Sequence, residues 1–216
     1  AIAFKDETFT ADKKRALELC RGIRARELNI AWSCDTRADV LDAELLSAMR
    51  GAGCQRISLG VESAAQEILR RLHKNTRLPD VQKASRIARA VGLPVRYYMI
   101  ACSPGETMTT LRQSLDFVHA AGPTEVIFKP FTLLPGTGEW QHALQSGHYE
   151  PECFFSETFF ELQPAASEND PETARIRDWI LHNSGLQKIR PLGVRECSES
   201  VRLFPELALA RLDLAD

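Results

Sequence analysis

Two segments of the chain combine an apolar strand with polar residues at its carboxyl end. The first runs Arg56-Ile-Ser-Leu-Gly-Val-Glu-Ser63, and the second runs Val95-Arg-Tyr-Tyr-Met-Ile-Ala-Cys-Ser-Pro-Gly-Glu-Thr107. A helix is expected after each segment, and parallel α/β folds bind their ligands at this end of the strands. A carboxylate there can accept hydrogen bonds from a ligand, and a guanidinium can hold a carboxylate through two parallel bonds. Glu62 and Arg96 are therefore candidate binding residues.

Each candidate also has a structural interpretation, and the sequence leaves both open. Arg96 lies inside an apolar strand, where a charged side chain needs a partner, which could be a ligand carboxylate, a structural acid or solvent. Tyr98 shares the face of Arg96 because side chains alternate along a strand. Ser63 could contact a ligand, but Ser63-Ala-Ala-Gln66 also has the form of a capping box. Glu62 could be a surface carboxylate in the first turn of a helix.

Further polar residues at the predicted strand ends form a rim on the same side of the sheet. They are Asp6, Glu7, Asp35, Arg37 and Asp39. Some should meet a substrate, whereas helix capping and mutual salt bridges are the structural alternative. Lys129, on a later strand, could line the same pocket or extend its ammonium into solvent.

Composition excludes several classes of function. The 216 residues carry 27 basic and 29 acidic side chains, so a broad surface for nucleic acid is not expected. No apolar run is long enough to span a bilayer and no signal peptide is evident, so we expect no membrane partner and a cytoplasmic location. The six cysteines are dispersed without close pairs, which predicts buried reduced thiols and no metal site within the chain. No GxGxxG, P-loop or HExxH motif is present.

Strand and helix patterns alternate along the chain. Helices are predicted at residues 12–27, 43–52, 64–72, 80–91, 108–121 and about 171–183. Strands are predicted at residues 1–4, 30–34, 56–61, 94–101 and 124–131. This alternation predicts an α/β fold with a parallel sheet.

Five blocks of this sequence resemble the radical S-adenosylmethionine (SAM) superfamily in order and spacing. They are Phe4-Lys-Asp-Glu-Thr-Phe-Thr10, Trp32-Ser-Cys-Asp-Thr-Arg-Ala-Asp39, Gly60-Val-Glu-Ser63, Met99-Ile-Ala-Cys-Ser-Pro-Gly-Glu-Thr107 and Leu134-Pro-Gly-Thr137. The blocks are most similar to the branch that often carries a cobalamin-binding domain. The resemblance implies strands two to six of a TIM-like partial (β/α)6 barrel over residues 1–147, without the first strand. Residues 148–216 are predicted to form a mainly helical C-terminal extension of unknown role.

The resemblance also implies cofactors and roles for particular residues. In this family a CxxxCxxC loop after the first strand holds a [4Fe–4S] cluster, and reductive cleavage of SAM gives a 5′-deoxyadenosyl radical. No such loop occurs here, so the cluster ligands are expected outside this chain. Glu62 matches an acidic position that contacts the cofactor, with Ser63 beside it, and Arg96 matches a basic position that could bind the SAM carboxylate near Tyr98. Cys102 stands where the family usually has glycine beside the adenine.

The expected activity is methyl transfer or hydrogen abstraction on a small-molecule or peptide substrate, with flavodoxin or ferredoxin as reductant. Methylcobalamin would donate the methyl group if a cobalamin domain is attached. Two other functions remain open at this stage. One is a cluster-less homologue that acts as a binding or scaffold module, and the other is a different parallel-barrel enzyme that binds a phosphorylated substrate.

Overall fold

The computed structural model describes residues 1–147, 151–155 and 171–183. Within these ranges, five strands form one sheet whose strand order equals the chain order. All neighbouring strands are parallel, which confirms the predicted α/β architecture. The strands are β1 (Ile2–Phe4), β2 (Trp32–Thr36), β3 (Cys54–Glu62), β4 (Val95–Ala101) and β5 (Glu125–Pro130).

Helices connect the strands and cover one face of the sheet. The α-helices of the described ranges are α1 (Lys13–Ala25), α2 (Ala43–Gly51), α3 (Gln66–Arg71), α4 (Leu78–Ala90), α5 (Met108–Ala121), α6 (Gly138–Gln145) and α7 (Pro171–Asn183). Short 3-10 helices occur at Ala38–Val40 and Pro151–Phe155. None of the described helices has the length and apolar character needed to span a bilayer.

The main core lies between the sheet and its helices. Phe4, Phe9 and Trp32 form an aromatic cluster with ring centroids 5.0–5.3 Å apart. The indole N–H of Trp32 donates to the carbonyl of Ala52, so this buried ring also satisfies its polar atom. Tyr97 on β4 likewise hydrogen-bonds Ser85 on α4. The sheet is therefore fixed to its helices by packing and by buried hydrogen bonds.

Local sequence signals set most helix ends, with one correction. Thr107 caps α5 and forms a capping box with Thr110, and Gly92 follows α4 with φ +66°. The capping box predicted for Ser63 and Gln66 is wrong, because the N-cap of α3 is Ala65. The Ser63 hydroxyl instead accepts from the Ala65 N–H at 3.1 Å.

In the described ranges beyond β5, the structure has an α-helix, α6, that the sequence prediction omitted. Helix α6 begins after Thr137, whose hydroxyl accepts from the Trp140 N–H. Helix α7 lies where it was predicted and packs against α5, β4 and β5. Trp179 on α7 meets Phe128 on β5 edge-on, with centroids 5.3 Å apart. Most of residues 148–216 lie outside the described ranges, so the role of this extension stays a prediction.

Candidate functional site

The sheet has a second face, opposite the helices, that we call the inner face. Parallel sheets usually bury apolar residues on both faces. Here the inner positions of β2–β5 are mostly polar or charged. They are Ser33, Asp35, Arg56, Ser58, Gly60, Arg96, Tyr98, Ile100, Glu125, Ile127 and Lys129. A polar inner face of this kind is suited to binding a ligand.

A cavity of about 550 Å³ opens at the carboxyl ends of β1, β2 and β3. This volume falls within the range of small-molecule sites, about 300–1,000 Å³. Its wall includes residues from three strand ends and from the loop between α3 and α4. The polar and charged members are Glu7, Thr8, Thr36, Arg37, Asp39, Glu62, His73, Lys74, Asn75, Thr76, Arg77 and Asp80. The cavity therefore combines acidic and basic groups.

Glu62 occupies the most constrained backbone position of this cavity. Its φ is +68°, in the left-handed region that favours glycine. The pairing of β3 with β4 also shifts register between Gly60 and Glu62, as in a β-bulge. Bulges redirect side chains, and strained backbone is concentrated at functional sites. The Glu62 carboxylate lies beside Gly60, on the inner face of the sheet.

The Glu62 carboxylate is partly buried and has a cationic neighbour, Lys74. The Nζ atom of Lys74 lies 3.5 Å from Oε1 of Glu62, whose side chain is only 15% exposed. Burial raises the pKa of Glu62, and Lys74 opposes that change. A Cβ atom at Gly60 would come within 2.8 Å of the same carboxylate oxygen. Glycine at this position therefore makes room for the carboxylate.

Arg96 and Tyr98 lie on the inner face below the cavity and do not line it. The Arg96 guanidinium donates to both carboxylate oxygens of Glu125, at 2.8 and 2.9 Å. It also donates to the Tyr98 hydroxyl at 3.3 Å. The fork of Arg96 is thus engaged by a structural acid, which was the alternative interpretation. A role for Arg96 or Tyr98 in cofactor binding stays a prediction.

Ser63 lies apart from the cavity, beneath α5. Its side chain is fully buried, and its hydroxyl lies 3.2 Å from the Ser114 hydroxyl. Ser114 also accepts from the Ala64 N–H at 3.0 Å. These contacts join the turn after β3 to α5. A cofactor contact by Ser63 stays a prediction, and the geometry shows a structural role for its hydroxyl.

The predicted polar rim is only partly assembled at the cavity. Glu7, Arg37 and Asp39 line it, and Arg37 donates to both oxygens of Asp39 at 3.1 and 2.9 Å. The Arg37 hydrogen bonds lower the pKa of Asp39. Asp6 instead pairs with Arg15 at 3.2 Å. Asp35 lies on β2 below the cavity wall.

The loop after β4 contains a buried carboxyl group. Glu106 is 2% exposed, and its Oε2 atom accepts from the Ser103 N–H at 3.2 Å. No described group hydrogen-bonds Glu106 Oε1 or the Ser103 hydroxyl. Burial raises the pKa of Glu106 to about 7. Cys102 has φ +57°, and its side chain packs in an apolar cluster with Leu111 and Trp179. This backbone conformation favours glycine, the residue that the resemblance to the radical SAM superfamily implies at this position.

Four cysteines fall on residues whose side chains are described, and all four are buried and free. They are Cys20, Cys34, Cys54 and Cys102. Burial raises the pKa of Cys20 to about 11 and that of Cys102 to about 12. The described residues contain no group of three or more side chains arranged to hold a metal ion. Cys153 and Cys197 lie outside the described side chains.

Sequence reasoning missed the loop between α3 and α4. Its residues His73, Lys74, Asn75, Thr76 and Arg77 line the cavity beside Glu62. They follow a helix and not a strand, so their position in the sequence does not mark them as cavity residues. The available signal was a polar run between two helical patterns, which also marks an ordinary surface loop.

Comparison with protein families gives a match over about half of the chain. The sequence model of the Radical SAM superfamily matches residues 5–118. An uncharacterized methyltransferase of Pyrococcus horikoshii is 29% identical over 143 residues, which is 66% of this chain and 31% of the relative. The anaerobic magnesium-protoporphyrin IX monomethyl ester cyclase of Rubrivivax gelatinosus is 30% identical over 132 residues, 60% of this chain and 24% of the relative. The chain thus spans less than a third of either relative.

Solved structures with the same fold include two radical SAM enzymes. The methyltransferase TsrM from Kitasatospora setae, with cobalamin and a [4Fe-4S] cluster bound, has a TM-score of 0.59 and 21% identity, over 67% of this chain and 30% of TsrM. Coproporphyrinogen III oxidase (HemN) from Escherichia coli has a TM-score of 0.55 and 16% identity, over 79% of this chain and 37% of HemN. At these identities the likeness concerns the fold alone.

Proposed function

Because this chain belongs to the radical SAM superfamily, we propose that it supplies the SAM-binding cavity of a radical SAM enzyme, at the carboxyl ends of β1–β3. The [4Fe–4S] ligands would come from outside this chain. The family match supports the superfamily assignment, and the enzymes among the relatives support catalysis. The position of the cofactor, the radical chemistry and the reaction catalysed are parts of the proposal.

The placement of Glu62 is the observation that carries this proposal. A glutamate in a left-handed conformation at a bulge costs backbone strain, which persists only where the surroundings impose it. Its carboxylate is partly buried yet faces a cavity and a lysine. A purely structural acid at a helix start would not need this backbone. A ligand-binding role explains why the strand end holds the carboxylate there.

The chemistry of the cavity wall fits SAM. The cofactor carries an amino acid head, a sulfonium cation and a ribose diol, so its site needs both acidic and basic partners. Glu62 can accept from the ribose or the amino group, and Lys74 and Arg77 can bind the carboxylate. When bound with a reduced [4Fe–4S] cluster, SAM supplies a 5′-deoxyadenosyl radical. The residues of this chain would bind and orient SAM and exclude water from it.

The described cysteines do not fit a cluster site. Cys20, Cys34, Cys54 and Cys102 are buried, and the thiols of Cys34 and Cys54 hydrogen-bond each other. Even so, no group of three or more described side chains is arranged to hold a metal ion. A [4Fe–4S] cluster needs thiolates that converge on one point. The thiolates that hold the cluster would therefore come from outside this chain. Cobalamin, a methyltransferase activity, a small-molecule or peptide substrate, a flavodoxin or ferredoxin reductant and a cytoplasmic location are further proposals.

Equilibrium binding of SAM to the anaerobically reconstituted full-length protein tests the proposal. Glu62→Ala should weaken SAM binding at least about tenfold, because hydrogen bonds to a charged group contribute about 1.5–3 kcal/mol. Glu67→Ala, an exposed glutamate on the following helix, is the matched control and should bind SAM normally. Unchanged affinity in Glu62→Ala would remove Glu62 from the site. A full-length protein without iron would favour the cluster-less binding module.

A further inference from the structure

The inner face of β4 and β5 carries an imbalance of charge. Its charged residues are Arg96, Glu125 and Lys129. Both oxygens of Glu125 accept from Arg96, and the guanidinium of Arg56 on β3 lies 3.6 Å from the same carboxylate. Two arginines therefore share one acid. No negative charge on these two strands remains for Lys129.

Lys129 is exposed, lies outside the wall of the 550 Å³ cavity, and has no carboxylate within ion-pairing distance among the residues that the structure describes. Its Nζ atom lies 5.8 Å from the centroid of the Tyr98 ring. The guanidinium of Arg96 lies 5.9 Å from the same ring and also donates to the Tyr98 hydroxyl. A cation over a tyrosine face gains only about 0.5–1 kcal/mol at an exposed site. Lys129 thus retains the capacity to bind an anion.

Lys129 also lies near the proposed cofactor. Glu62 is paired with Met99, and Met99 with Phe128, the residue before Lys129. Adjacent strands are about 4.8 Å apart, so the two backbones lie roughly 10 Å apart across the sheet. A small substrate placed between these residues would be adjacent to SAM.

We propose that Lys129, with Tyr98 as its platform, binds a carboxylate or phosphate group of the substrate. This inference rests on the proposed function, because it assigns the substrate class of the same site. A lysine ammonium is a compact positive charge that can donate hydrogen bonds to either a carboxylate or a phosphate. The charge of Arg96, in contrast, is already neutralised by Glu125. Arg96 serves instead to fix Tyr98. The substrate is therefore an anion whose charged group lies on β4 and β5.

Chemical-shift titrations of the full-length protein test this assignment. Benzoate and phenyl phosphate carry the two candidate head groups on one aromatic ring, and benzyl alcohol is the neutral analogue. Both anions should bind and shift the resonances of Lys129 and Tyr98, and benzyl alcohol should bind at least about tenfold more weakly. Preference for one anion would identify the head group. Equal binding of benzyl alcohol would overturn the proposal.

Variants test the anion site at Lys129 independently of the SAM site at Glu62. Lys129→Gln should weaken benzoate and phenyl phosphate binding by about tenfold, the effect expected for one charge-assisted hydrogen bond, and should leave SAM affinity unchanged. Arg112→Gln removes one positive charge on an exposed face of α5 and should change neither affinity. Equal anion binding by Lys129→Gln and the wild type overturns the anion site alone. Unchanged SAM affinity in Glu62→Ala overturns the proposed cofactor site alone.

Discussion

Replacing Glu106 by glutamine should change how the stability of the protein depends on pH. The Glu106 carboxyl is buried in the loop after β4, and one of its oxygens has no described partner. Burial raises its pKa from the ordinary 4.5 to about 7. The folded state therefore holds this proton more tightly than the unfolded state. Glutamine keeps an acceptor for the Ser103 N–H and carries no proton to lose.

The raised pKa of Glu106 determines the size and the sign of the change in stability with pH. Each pKa unit corresponds to about 1.4 kcal/mol, so a rise from 4.5 to about 7 corresponds to roughly 3 kcal/mol. The contribution of protonated Glu106 is complete below pH 4.5 and is lost as the pH rises toward 7. Between these values the wild type should lose stability relative to Glu106→Gln. Above pH 7 the difference should stay constant.

Urea denaturation of both proteins across this pH range measures the difference. The free energy of unfolding of Glu106→Gln minus that of the wild type should grow by roughly 3 kcal/mol between pH of about 4.5 and about 8. Other titrating groups are common to both proteins and cancel. Glu18→Gln, at an exposed position of α1, controls for the loss of a carboxylate. A difference that does not vary with pH would refute the reasoning.

Further predictions concern the inner face, the thiols and the turn after β4. Glu125→Ala leaves the largely buried guanidinium of Arg96 without its acid and should lower the free energy of unfolding by roughly 3 kcal/mol in urea titrations. The thiols of Cys20 and Cys102, with pKa values of about 11 and about 12, should react with Ellman's reagent at mildly alkaline pH only after unfolding. Gly105→Ala should lower the melting temperature, because its φ is +74° and a side chain there meets a neighbouring guanidinium.

The substitutions at Gly105 and Glu125 each have a matched control. Gly136 has φ +86° and open space around it, so Gly136→Ala measures backbone strain alone. Equal losses at Gly105 and Gly136 would show that Arg71, the guanidinium beside Gly105, does not resist displacement. Glu18→Ala, at an exposed position of α1, should leave stability nearly unchanged, and a similarly small effect for Glu125→Ala would contradict the largely buried ion pair. Rapid thiol reaction in the folded protein would contradict their burial.

The regular part of the fold was predictable because local patterns and burial agree. Helix α4 was expected from a stripe of small and branched residues, of which Val81, Ala84 and Ala88 are buried against the sheet. Glu62 could be found because it directly follows an apolar strand. In parallel sheets the ligand site lies at the carboxyl ends of the strands, and the sequence is sufficient to predict where the strands end.

The remaining features depend on contacts between distant parts of the chain. Glu125, the partner of Arg96, lies 29 residues away, and nothing local identifies it. The sequence at Ser63 matches a capping box, but in the structure the Ser63 hydroxyl lies within hydrogen-bonding distance of the Ser114 hydroxyl on α5. Lys74 reaches Glu62 through the fold of a loop that resembles ordinary surface sequence. Tertiary hydrogen bonds thus decided the roles that local rules left open.

Hydrogen–deuterium exchange of the reconstituted full-length protein, with and without SAM, tests the central claim most directly. SAM bound in the cavity should slow exchange at the end of β3, around Glu62, and in the loop that contains Lys74 and Arg77. Exchange at the opposite end of the sheet, near Pro94 and Thr124, should not change. Protection around Glu62 and Lys74 would support SAM binding in this cavity. Protection only at other places would contradict it.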